Sequence, residues 1–158
     1  MKPVQFAIAA FAAVFVVACG SDSSTTGMAT KCDARSTFDQ VQQQVFEAQG
    51  CTAAACHGGE PVAGGLDLRP ENAYASLVNV AATSGDFVRV FPAEQDLSLL
   101  YQKVAAKTEG FELAPLGISG GAMPTGPGVL SEDDLGLLRA WIRGGAPENG
   151  IVAGSEQY

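Results

Sequence analysis

"GCTAAACHGG", residues 50–59, holds the only histidine of the chain, His57, with Cys56 directly before it and Cys51 five positions ahead of that cysteine. Three chemistries compete for such a cluster: covalent attachment of a cofactor, a metal site, or a disulfide beside an unused imidazole. The choice depends on what the elements around it enclose.

Upstream, Ser36 is a helix cap with Asp39 three residues on, and Phe38, Val41 and Val45 follow at helical spacing with Phe46 alongside. That helix is expected to stop at Gly50. Downstream, Ser131 precedes Glu132, Asp133 and Asp134, acidic residues that suit a helix N-terminus. Leu135, Leu138 and Ile142 line one face with Trp141 beside them, Arg139 and Arg143 occupy the last turn, and Gly144-Gly145 ends it. Two shorter helices are expected over 70–79 and 96–107, carrying Tyr74, Leu77 and Val78, and Leu97, Leu100, Tyr101 and Val104. Only "FVRVF", 87–91, alternates as a strand does. The expected class is therefore all-α, with about four helices and no internal repeat.

The N-terminus reads as an export signal. Lys2 is followed by an apolar run at 6–18, shorter than the roughly 18 residues a membrane-spanning helix needs. The sequence Val16-Val17-Ala18-Cys19 resembles the lipobox of bacterial lipoproteins, which implies cleavage before Cys19 and lipid on that cysteine. Ordinary cleavage, leaving Cys19 a plain thiol, is the alternative. Residues 19–31 are rich in Ser, Thr and Gly and read as a flexible tether. A single domain is expected over 32–158. Without Lys2 the chain has 8 basic against 17 acidic side chains, about −9. This argues against nucleic acid as a partner and favours basic protein surfaces. An exported cysteine is normally paired, lipidated or bound to a cofactor or metal, and with Cys19 lipidated an odd set of three remains: Cys32, Cys51 and Cys56.

C-x-x-C-H is the attachment pattern for c-type haem, in which two thiols bind the haem vinyl groups and the adjacent imidazole reaches the iron. Here Cys56 and His57 fit, but Ala53 stands where the other cysteine belongs, so the spacing is C-x4-C-H. Further segments carry a wider likeness: "CHGG", "AGGLDLRPENAYASLVN", "RVFPAEQDLSLLYQKV" and "GGAMPTGPGVLSEDDLGLLRAWIRGGAP". Together they resemble the monohaem, class I c-type cytochrome modules of exported bacterial proteins, over nearly all of 36–147. The resemblance implies a class I cytochrome c fold around one covalently attached haem c. His57 is then one axial ligand and Met123, before Pro124, the other. "FPAEQD" departs from the proline-glycine-aspartate turn usual in that family. Apart from the resemblance, Met123 is a soft thioether, Pro124 favours an extended residue before it, and Gly120-Gly121 let the backbone approach a flat ligand. A methionine filling a core gap is the plain alternative.

Three arrangements of the cysteines stay open. Cys51 and Cys56 both hold the haem across a two-residue bulge, leaving Cys32 spare; or Cys56 alone holds it and Cys32 pairs with Cys51; or Cys32, Cys51, Cys56 and His57 bind zinc without haem. Parity favours the second. Geometry favours the first, because a helix over 36–49 is about 21 Å long, and the flanking segments can return about the same distance only if both fold straight back. Zinc ligands usually lie two to four residues apart, and adjacent residues rarely aim at one ion.

The expected function is outer-sphere electron transfer, not catalysis: both axial positions of the iron are filled. Lipid on Cys19 would hold the carrier at a membrane, on the periplasmic side or the cell surface, and Gly20 after the cysteine hints at the outer membrane. The competing readings are a haem-free surface lipoprotein stabilised by zinc or a disulfide, and a haem protein whose Met123 dissociates to admit a gas or peroxide.

Overall fold

The computed structural model describes residues 34–83 and 86–158. The expected signal segment, the tether, Cys19 and Cys32 lie outside them. Ser36 is extended and its hydroxyl accepts the Asp39 amide at 3.0 Å, which starts α1 (Thr37–Gln40). The helix continues without a break into wider π-helical turns at Val41–Glu47. Amides there reach back five residues, Ala48 to Gln43 at 3.1 Å and Cys51 to Phe46 at 2.8 Å. The expected helix is present, but its second half is wound more loosely. That winding lets Val41, Val45 and Phe46 all lie buried on one side.

The middle helices depart from what their apolar periodicity predicts: the first is shorter, and the second is displaced toward the C-terminus. Over 70–79 only α2 (Ala73–Leu77) forms. It ends because Val78 turns extended and the chain pairs with Val90: Asn79 donates to the Val90 carbonyl at 3.0 Å, and Val90 to that of Leu77 at 3.1 Å. Over 96–107 the chain makes a 3-10 turn at Gln95–Leu97, leaves helical geometry at Ser98, then forms α3 (Leu99–Ala105) and π turns at Ala106–Gly110. The interruption is tertiary. Leu99 donates to the Val88 carbonyl at 3.0 Å, and the fully buried Ser98 hydroxyl donates to the Glu94 carbonyl at 2.8 Å. Residues 87–91 form no strand; isolated bridges join Val78 to Val90, Ala81 to Val88 and Val88 to Ser98. The described residues are thus helical, without a sheet.

α4 (Glu132–Arg143) follows its sequence signals closely. Ser131 accepts the Asp134 amide at 3.0 Å, three acidic residues fill the first turn, and Gly144 ends the helix. Its buried face packs on α1 and the π-helical turns. The Phe38 ring lies 5.1 Å from Trp141 and 5.2 Å from Tyr74. Trp141 is fully buried, and its indole N–H donates to the Pro147 carbonyl at 2.9 Å. Each such aromatic contributes about 2 to 3 kcal/mol by leaving water. The C-terminal segment closes this layer: buried Thr37 donates its amide to the Gly150 carbonyl at 3.0 Å, and its hydroxyl accepts the Val152 amide at 2.8 Å.

At 92–94, within "FPAEQD", the chain turns sharply. Ala93 sits at φ 69°, a left-handed conformation that glycine adopts without strain. Its amide is held by the Ile142 carbonyl near the end of α4 at 2.8 Å.

Candidate functional site

The loop at 50–59 is folded by its own backbone. Cys51 donates to the Phe46 carbonyl at 2.8 Å, His57 to that of Cys51 at 3.0 Å, and Ala53 accepts both Cys56 at 2.8 Å and Gly58 at 3.2 Å. These bonds draw Cys51 and His57 together and expel the residues between them. Ala53, Ala54 and Ala55 are exposed, while Cys51, Cys56 and His57 are half-buried. The two residues by which C-x4-C-H exceeds the usual spacing are therefore taken up in an outward bulge. The return is tight enough to exclude side chains: a Cβ on Gly58 would sit 2.8 Å from the Thr52 carbonyl carbon, and one on Gly59 would sit 2.9 Å from that of Ala54.

The His57 ring is oriented by the segment after it. Its Nδ1 lies 3.0 Å from the Ala63 carbonyl and 3.2 Å from that of Leu66, two acceptors that require the proton on Nδ1. In the neutral ring, Nε2 is then the atom with a free lone pair. A 3-10 turn at Ala63–Gly65 presents these carbonyls, with Gly64 at φ 60° and Gly65 at φ 66°. Arg89 grips the same turn: its guanidinium donates to the Gly65 carbonyl at 3.0 Å and, beyond the turn, to the Ser76 carbonyl at 2.7 Å.

In front of this loop lies a cavity of about 640 Å³, a size typical of sites for organic ligands and cofactors. Cys51, Cys56, His57 and Met123 all line it. Its remaining wall is largely apolar: Val45 and Phe46 from the first helix, Leu100 and Val104 from α3, Leu138 from α4, and Leu130. No family model, curated protein or solved structure matches this chain. The cavity has to be read on its own chemistry.

Two features sharpen that reading. Arg89 and Lys103 line the cavity and, among the described residues, no aspartate or glutamate does, although the chain as a whole carries −8. Neither cation has a carboxylate partner among the described residues, and burial lowers the pKa of both. A ligand bearing negative charge would relieve that cost. Burial also pushes the Cys51 thiol pKa up, and the neighbouring Cys56 adds to the effect. The two cysteines are thus close enough to influence each other, and no disulfide joins them.

Met123 reaches the cavity from the loop between α3 and α4, at a cis bond to Pro124. Its amide donates to the Lys103 carbonyl at 2.9 Å. Among the described residues no three His, Cys, Asp or Glu side chains gather as an ion site; Cys32, the fourth ligand of the zinc arrangement, lies outside them. Reading the sequence alone missed Arg89 and Lys103. Arg89 had a signal, a lone cation inside an apolar run. Lys103 had none beyond its place on an amphipathic helix.

Proposed function

We propose that this chain is an exported electron carrier with a class I cytochrome c fold around one c-type haem, bound through Cys51 and Cys56, with His57 and Met123 as axial ligands. The observation that carries the proposal is the convergence of these four residues on the walls of one apolar cavity. The residues suit the group: soft and imidazole ligands for iron, apolar walls for a macrocycle, and the Arg89 guanidinium, which has no carboxylate partner among the described residues, for a carboxylate of the group. A haem held there supplies a reversible one-electron couple, and His/Met ligation raises its potential.

The protein's part is binding, orientation and exclusion of water. Carbonyls of Ala63 and Leu66 fix the imidazole plane and make Nε2 the stronger donor. The outward bulge at Ala53 and Ala54 keeps both thiols at the cavity despite the longer spacing, which supports attachment at two points. Phe46, Leu100, Val104 and Leu138 give the cavity an apolar wall, and an apolar surround lessens the reorganisation that accompanies a change of charge. With His57 and Met123 both holding the group, the reading would be transfer to a protein partner, not catalysis on a small molecule. An acidic carrier suits a partner with a basic docking surface. Lipid on Cys19 would hold the carrier at a membrane.

The test is expression of the full chain in a periplasm with cytochrome c maturation machinery, followed by the reduced haem spectrum in alkaline pyridine and the intact mass. Two thioethers are expected. One thioether would assign attachment to Cys56 alone and favour a Cys32–Cys51 disulfide. A folded, colourless protein would overturn the reading in favour of a haem-free module.

A further inference from the structure

The loop that carries Met123 does not hold itself. It is rich in glycine and proline, and of the amides at 119–129 only that of Met123 donates to another backbone group. Ile118 and Leu130, at its two ends, are buried; the residues between them are exposed or half-buried. A segment of this kind would sample many conformations unless something outside it fixes its backbone.

Two lysines do so. Lys103 Nζ donates to the Ser119 carbonyl at 2.6 Å and to that of Gly121 at 3.1 Å. Lys107 Nζ donates to the carbonyls of Pro124 and Gly126. The lysines stand four residues apart, on α3 and on the π turns that continue it, so they share one face. Each reaches two carbonyls, one pair on either side of Met123, and the Lys103 carbonyl takes the Met123 amide itself. Neither ammonium is paired with a carboxylate among the described residues, so both are spent on this loop. Charge-assisted donors of this type are stronger than neutral ones.

We infer that Lys103 and Lys107 are positioning residues for Met123: a two-point clamp that keeps the thioether at the cavity wall, where a loosely built loop would otherwise let it leave. The clamp itself is a property of the chain; its meaning as ligand control rests on the haem reading above. Lys103 and Lys107 should then govern how firmly Met123 would hold a group bound in the cavity.

The experiment compares the full chain with Lys103→Met, Lys107→Met, the double variant, and Lys103→Arg with Lys107→Arg. Three quantities are measured: hydrogen exchange of the 119–128 amides by mass spectrometry, the weak long-wavelength band that marks methionine sulfur on oxidised haem iron, and binding of added imidazole. In the double Met variant exchange across 119–128 should quicken at least tenfold while α4 stays protected. The band should weaken and imidazole should bind at least tenfold more tightly, with arginine restoring most of each. Unchanged exchange in the double variant would overturn the clamp, whether or not the protein is coloured. Faster exchange with an unchanged band and unchanged imidazole binding would refute its control of the ligand. Faster exchange in a colourless chain would support the clamp and sink the haem reading instead. Loss of protection in α4 as well would mean that the variant had unfolded broadly, and would count against a local clamp.

Discussion

Replacing Gly58 by alanine tests the geometry of the attachment loop. The added Cβ would lie 2.8 Å from the Thr52 carbonyl carbon, against a comfortable separation of about 3.5 Å or more. The obstacle is backbone, which cannot rotate aside as a side chain can. The Thr52 carbonyl oxygen is closer still, so the loop must open by more than an ångström, and the bonds that close it, His57 to Cys51 at 3.0 Å and Gly58 to Ala53 at 3.2 Å, are the ones that lengthen. Losing much of two such bonds costs about 1 to 2 kcal/mol, and residual strain adds about 1 to 2 more. A total near 2 to 4 kcal/mol corresponds to a fall of about 8 to 15 °C in Tm for a domain of this size. Thermal melts followed by circular dichroism measure it. Gly121→Ala is the control: its Cβ would meet nothing within 4 Å and its φ is not positive, so its Tm should stay within about 2 °C or rise slightly. A Gly58→Ala protein melting within about 2 °C of the unaltered chain would refute the tight return, and with it the outward bulge that accommodates C-x4-C-H.

Ala93→Gly should stabilise the protein. Relief of the left-handed alanine is worth about 1 to 2 kcal/mol, and the added chain freedom of glycine offsets about half to one, leaving a gain near 0.5 kcal/mol and about 2 °C in Tm; a lower Tm would mean the turn is not strained. Asp67 makes a pH prediction. The Arg69 guanidinium hydrogen-bonded to it holds its carboxyl well below the usual carboxylate range, with help from Asn72. A depressed folded pKa stabilises above the unfolded value, near 3.9, and that contribution fades as pH falls toward the folded pKa. The Tm gap between the unaltered chain and Asp67→Asn should be widest above about pH 5 and narrow from about pH 4 to pH 2; a gap that stays constant over that range would show that the pair is not coupled to folding.

The two ends of the domain were legible because their signals are local. Ser36 with Asp39, and Ser131 with its acidic first turn, cap helices by bonds within three residues, and Phe38, Val41, Val45, Leu135, Leu138 and Ile142 are buried as their spacing predicts. The middle was not. The helix expected over 70–79 ends at Val78, and the one expected over 96–107 starts only after Ser98 and runs on to Gly110, because backbone groups at those points are claimed by Val90 and Val88, partners that periodicity within a window cannot register.

The candidate site divides along the same line. Sequence alone determined the chemistry: which thiols, imidazole and thioether exist, that Cys56 and His57 are adjacent, and that the cysteine spacing is two residues longer than usual. Only the tertiary structure decided that Cys51, Cys56, His57 and Met123 line one cavity, that the extra residues turn outward, and that Arg89, Lys103 and Lys107 hold its walls. The reason is range. Residue type and short spacing are carried by the chain itself, whereas a shared wall depends on how α3, α4 and the first helix pack. It depends also on carbonyls whose direction is set by backbone far from the side chains that grip them.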